Sequence, residues 1–162
     1  MKRTLAYVTL GAAAGTVATV VMERTATWLY AHQNEASRAR EEELRSAGPT
    51  TVLARKLAAA AGRELTEERA ARLGSALHYG FGASGGVLAA LAAQRAVPPL
   101  AAGLGVALGM SVLVDEGANY LLGLTPPPAA WPATAHVRGA LAHVVYGLVL
   151  GAGLGAGRGL VR

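Results

Sequence analysis

Residues 4–22 read TLAYVTLGAAAGTVATVVM, an uncharged apolar run flanked by Lys2-Arg3 on one side and Glu23-Arg24 on the other. A helix rising 1.5 Å per residue needs about 20 such residues to cross a hydrocarbon core of roughly 30 Å, so this run reads as a membrane span. A secretory signal is the competing reading. Its apolar region is usually about 7–15 residues, and small residues should mark the cleavage site where Glu23-Arg24 stand.

Three further runs follow. Residues 73–94 are apolar apart from His78 and a few small polar groups, and residues 135–157 form another stretch, with Arg138 near its start. The remaining candidate begins after Pro98-Pro99 and carries Asp115 and Glu116. Taken strictly, the acidic pair would leave three spans and a re-entrant segment. Resumption of apolar character at Tyr120-Leu121-Leu122 favours a full crossing. The expected spans are therefore 4–22, 73–94, 99–123 and 135–157, joined by a polar loop at 23–72. This is an all-α, integral membrane four-helix bundle with a helical extramembrane loop.

Charge distribution agrees. Charged residues make up 15% of the 162, against roughly 25% in ordinary globular chains. Of the 25 that exist, 17 fall between residues 23 and 72. There are no cysteines, which excludes disulfides, thiolate metal sites and cysteine nucleophiles. No phosphate-binding loop, dinucleotide fingerprint or Gly-x-Ser-x-Gly elbow is present. The net charge of +5 does not signal nucleic acid, because the loop's bases are interleaved with nearly as many acids and aromatics are only 5%. The lipid bilayer is the expected partner.

The loop reads as helical. Residues 31–47 are rich in Ala, Glu and Arg and are expected to prolong the first span until Gly48-Pro49 stops it. Thr50 or Thr51 is expected to cap a short amphipathic helix with Val52, Leu53, Leu57, Ala60 and Ala61 on its apolar side, ended by Gly62. Thr66 then caps a helix whose first turn holds Glu67-Glu68, favourable at its positive end, and which runs into the second span. The run Arg40-Glu41-Glu42-Glu43-Leu44-Arg45 is expected to be a solvated face, with partner docking as the sharper alternative.

Small residues foretell the helix contacts. Gly11 and Gly15 form one small-xxx-small pair and Gly105 and Gly109 another, while Gly147, Gly151, Gly155 and Gly159 recur every four residues. Such stripes let backbones approach closely where lipid supplies no hydrophobic drive between helices. Packing within one bundle is the expected use. Homo-oligomerisation is expected for the faces left over.

Polar residues gather at one depth. His78 lies near the start of the second span, Asp115, Glu116 and Asn119 near the end of the third, and His136, Arg138 and His143 in the first part of the fourth. Glu23 closes the first. Counting from the helix ends, His143 and Asp115 are about 12 Å deep and His78 about 8 Å. The opposite leaflet holds no such group. A lone carboxylate at that depth costs several kcal/mol, so it must be neutral, paired or wet, with the histidines and Arg138 as candidate partners. The expected polar centre is His78, Asp115, Glu116, Asn119 and His143, with Glu23, His136 and Arg138 as secondary members. Neutral imidazoles and carboxylates suit a divalent metal, for which His78, Asp115, Glu116 and His143 are the candidate ligands. The same groups pass protons. Haem between His78 and His143 is disfavoured by so small a complement of aromatic residues. The segment from Thr125 through three prolines to Trp131-Pro132 cannot be regular helix and is expected to lie at the interface as a stiff link.

These motifs in this order resemble a known family: a glycine-rich first span ending Val-Met-Glu-Arg, a charged loop, His78-Tyr79-Gly80-x-Gly82, Asp115-Glu116-Gly117-Ala118-Asn119, Leu124-Thr125-Pro126, and His136-x-Arg138-Gly139 followed by His143-x-x-Tyr146-Gly147. Together they resemble the YagU-like bacterial inner-membrane proteins, a group catalogued mainly as a domain of unknown function. The resemblance spans nearly the whole chain and implies a multi-pass inner (plasma) membrane location but no reaction. Members with a Pro-rich first loop differ from the Glu/Arg-rich loop here. The expected function is ion, proton or metal handling by a non-enzymatic membrane module, and the alternative is an accessory subunit that oligomerises through its glycine faces.

Overall fold

The computed structural model describes residues 2–44 and 47–160. Six helices carry the fold: α1 (Lys2–Ala31), α2 (Glu35–Leu44), α3 (Pro49–Ala60), α4 (Glu67–Gln94), α5 (Pro99–Leu121) and α6 (Ala133–Gly157). Four of them, α1, α4, α5 and α6, are long and apolar enough to cross a membrane. They pack as a ring in which α1 touches α4 and α6, and α5 touches α4 and α6. Every neighbour is antiparallel, because each connection returns the chain at the end where it left.

The bundle is built inside out relative to a soluble protein. Its core consists of Ala18, Ala89, Ala90, Ala102 and Ala107, with Tyr7, Tyr146, Leu150 and Leu154 as the large members. Leu5, Val17, Leu88, Val112, Leu113, Leu121 and Leu148 all face outward. So continuous a covering of exposed aliphatic side chains suits acyl chains and not water. Small residues inside let the backbones meet. A Cβ built on Gly86 would stand 2.8 Å from the Gly15 Cα, and one on Gly11 2.7 Å from the Ala90 Cβ. On the opposite side of the ring a Cβ on Gly147 would stand 2.9 Å from the Ala107 Cβ, and one on Gly151 2.7 Å from the Leu100 Cα. Tyr146 ties two helices together by donating its hydroxyl to the Gly82 carbonyl at 2.6 Å.

Two glycine expectations need correction. Gly105 and Gly109 do not form the α5 contact; a Cβ on either meets open space, and Gly103 with Ala107 packs on α6 instead. Gly155 is likewise open, whereas Gly157 lies against Leu10. Four-residue spacing advances about 40° around the helix at each step, so a stripe that begins at the interface at Gly147 has rotated away by Gly155.

The loop departs from expectation in three places. α1 stops at Ala31, and the chain turns before α2 begins. Asn34 causes the break: its side-chain Oδ1 accepts from the Ser37 amide at 2.8 Å, an N-cap that starts a new helix. Gly48, not Thr50 or Thr51, occupies the N-cap of α3, with Pro49 following where its missing amide costs nothing. The apolar side of α3 is also narrower than expected: Ala54 is buried, while Leu57 is exposed. Gly62 at φ 69° and Thr66, whose hydroxyl accepts from Arg69, perform as the sequence indicates.

α1 has 30 residues and α4 28, giving lengths of about 45 and 42 Å. Each therefore extends beyond a hydrocarbon core of about 30 Å on the loop side. At the other end α4 closes through Ala96 at φ 73°, a left-handed residue with a Cβ. Ala96→Gly is expected to stabilise the protein by about 1 kcal/mol, read as a raised thermal midpoint in detergent. Arg158 donates to the Ala93 carbonyl at 3.1 Å at this same end, satisfying a terminal acceptor of α4.

Candidate polar site at the loop-side membrane face

α5 crosses the whole bundle as one helix, so the acidic pair does not end the span. From Met110 to Ala118 it widens into a π-helix, closed by the Asn119 amide bonding to the Val114 carbonyl five residues back. Such turns are rare in helices and concentrate at functional sites. Here the widened stretch is the one that carries Asp115 and Glu116, and it changes which way each points.

The two acids diverge to different histidines on α6. Asp115 Oδ2 lies 3.6 Å from His143 Nε2, with His143 the more enclosed of the pair at 9% side-chain exposure. His143 Nδ1 is 3.0 Å from the Gly139 carbonyl one turn earlier. A carbonyl only accepts, so Nδ1 carries the proton and Nε2 presents its exchangeable position to Asp115. Glu116 turns instead to His136, Oε1 to Nδ1 at 2.7 Å, while His136 Nε2 reaches the Pro128 carbonyl at 3.1 Å. Both nitrogens of this ring face oxygen atoms. It is satisfied when it carries two protons or when Glu116 carries one.

His78 faces α1. The His78 Nε2 atom is buried without a hydrogen bond, 3.5 Å from Glu23 Oε1. Tyr79 donates its hydroxyl to the other Glu23 oxygen at 2.5 Å, and its ring meets the His78 ring edge-on at 5.7 Å. Each of these three histidines thus faces a carboxylate from a neighbouring helix. Asn119 contributes through its backbone, its carbonyl accepting from Leu124 at 2.7 Å where α5 ends.

Arg138 does not pair with Asp115. It forms a two-pronged ion pair with Glu41 of α2, Nη1 to Oε1 at 2.7 Å and Nη2 to Oε2 at 2.6 Å. Gln33 bridges the pair, accepting from Arg138 and donating to Glu41, each at 2.6 Å, and the guanidinium stacks 5.2 Å from the Tyr30 ring centroid. Glu41 is 1% exposed, so the acidic run is not wholly solvated as expected; Arg45, its last member, lies outside the described residues. Helical geometry explains the selection. Glu42 and Glu43 point about 100° and 200° away from Glu41, so only one acid of the three can face α6. The sequence does contain a signal for this clamp, namely a lone arginine at the start of a span that needs a counter-charge.

The proline segment is a short link between α5 and α6 and not regular α-helix. Pro128–Ala130 form one tight turn, the Trp131 indole donates to the Pro126 carbonyl at 3.4 Å, and Pro128 receives His136. α3 secures the same end, with Lys56 donating to the Leu122 carbonyl at 2.7 Å. Among the described residues no three His, Asp or Glu side chains are disposed to hold a metal ion. Comparisons with protein-family models, curated proteins and solved structures find no match. Fold and site geometry define a multi-pass α-helical membrane protein.

Proposed function

We propose that this protein is a proton-responsive membrane module centred on His143 and Asp115, with the His78–Glu23–Tyr79 group as its extension. The single observation that carries this reading is the 3.6 Å approach of His143 Nε2 to Asp115 Oδ2, with Nδ1 already committed to the Gly139 carbonyl. A proton arriving at the pair has two sites that differ by a small movement, imidazole nitrogen or carboxylate oxygen. Histidine exchanges protons in the physiological range, and a carboxylate beside it couples to that exchange. Proton chemistry is favoured over metal binding because the acids pair off with separate histidines. The spans hold no Asp, Glu or His in the other half of the bundle. The site therefore reads as one that binds and releases protons at a single membrane face, and not as a transmembrane conduit. The resemblance to YagU-like proteins supports an inner-membrane location.

Histidine resonances of the protein in lipid nanodiscs provide the test. The parent protein is expected to change its histidine spectrum as the pH is lowered, and Asp115→Asn to diminish that response. A histidine spectrum that does not respond to pH, or a response unchanged in Asp115→Asn, refutes the proposal. That result would favour the accessory-subunit reading, for which Gly105, Gly109 and Gly155 remain open to a second copy.

A further inference from the structure

A shallow groove of about 610 Å³ lies along the loop-side part of α1. Val20, Glu23, Arg24, Thr27 and Trp28 line it from α1, and Tyr79 borders it from α4. Their spacing of three and four residues makes them one helix face. Apolar Val20 lies at the deep end, the opposite charges of Glu23 and Arg24 follow, and an indole lies beyond them. The level is also defined. Residues 4–22 fill the hydrocarbon core, and a bilayer of about 40–45 Å leaves roughly 5–8 Å of headgroup layer on each side. The five helical steps from Glu23 to Trp28 cover about 7.5 Å, so the charged part of the groove spans that layer. Trp28, at 59% exposure, is the kind of side chain that settles there.

Within this groove the charges are unequally engaged. Glu23 receives Tyr79 and faces His78, whereas Arg24 makes no ion pair or hydrogen bond among the described residues. The guanidinium is a fork suited to phosphate oxygens. The Glu23 carboxylate beside it suits a primary ammonium that can donate hydrogen bonds.

We propose that the groove is a binding site for a zwitterionic aminophospholipid, with Arg24 on the phosphate, Glu23 on the ammonium and Val20 against the start of the acyl chains. The occupant is a lipid because the lining passes from apolar Val20 to the charged Glu23-Arg24 pair and on to the exposed Trp28, the order of chain, headgroup and interface in a bilayer. Charge complementarity selects the headgroup: phosphate and ammonium are adjacent in phosphatidylethanolamine as Arg24 and Glu23 are adjacent on α1. A trimethylated amine keeps the charge but has no hydrogen to donate, and a glycerol headgroup has no cation for Glu23.

Native mass spectrometry tests this on the full chain in detergent. An equimolar mixture of phosphatidylethanolamine, phosphatidylcholine and phosphatidylglycerol is offered, with acyl chains chosen to give distinct masses. Bound ethanolamine lipid is expected to exceed choline lipid about threefold, the scale of one partly exposed charged contact. Glu23→Gln is expected to abolish that preference, and Arg24→Gln to reduce total retention of all three lipids. Circular dichroism and elution volume confirm that each variant is folded. Arg24→Gln leaves the His78–Glu23 contact intact, so it separates this proposal from the proton site. Equal retention of the three lipids, preference for the glycerol lipid, or a preference unmoved by Glu23→Gln each overturns the proposal.

Discussion

Gly86→Leu is expected to separate α1 from α4 and abolish a single folded species in detergent. A Cβ at Gly86 would lie 2.8 Å from the Gly15 Cα and 2.9 Å from the Gly15 nitrogen. Both atoms are backbone, so no rotamer change relieves the clash and the helices themselves must move. A single extra methyl in a packed interior costs about 1–3 kcal/mol, and a leucine at a backbone-to-backbone crossing exceeds that. In lipid little else holds these helices together, because their large apolar side chains face outward. Gly80→Ala is the internal control. It changes glycine on the same helix where nothing lies within 4 Å, and replacing a helical glycine by alanine gains up to about 1 kcal/mol. Thermal unfolding and size-exclusion profiles should therefore move in opposite directions for Gly86→Leu and Gly80→Ala. Equal behaviour would mean that α1 and α4 do not meet at this crossing.

The second large effect is expected at the clamp between α2 and α6. Glu41→Leu leaves the Arg138 guanidinium, 13% exposed, without its carboxylate. Removing one partner of a buried pair costs about 3–5 kcal/mol, mostly the penalty of the charge left behind. Replacing both residues with leucine removes that penalty, and the double variant is expected to recover most of the loss. The checks are denaturant stability and trypsin cleavage at Arg38 and Arg40. Cleavage should accelerate in Glu41→Leu, where α2 detaches, and return towards the parent rate in the double variant. A double variant no better than the singles would show that the pair contributes attraction beyond its own desolvation. Because Arg138 lies between His136 and His143 on α6, the same experiment reports whether α2 holds that helix in position for the proton site.

Much of this was legible in the chain. Apolar run length marked the four crossings, and Thr66 and Gly62 marked helix boundaries through local backbone chemistry that needs no distant partner. The placement of His78, Asp115, Glu116, His136 and His143 toward one end of the bundle followed from helix direction and rise alone. Pairing was not legible. Asp115 and Glu116 are chain neighbours, yet the π-helical stretch sends one to His143 and the other to His136. Nor does spacing reveal that Gly103 faces α6 while Gly105 faces away, since both sit in an equally small-residue run.

Composition and periodicity thus determined that four helices are long and apolar enough to cross a membrane, and which end of the bundle carries the ionisable groups. Those are properties of one helix at a time, set by transfer free energy and by rise per residue. Tertiary structure decided the rotation of each helix about its own axis, and with it every partner: Glu41 for Arg138, Glu23 for His78, Gly82 for Tyr146. Rotation is a collective outcome of close packing among four backbones, where one residue of shift turns a side chain by about 100°.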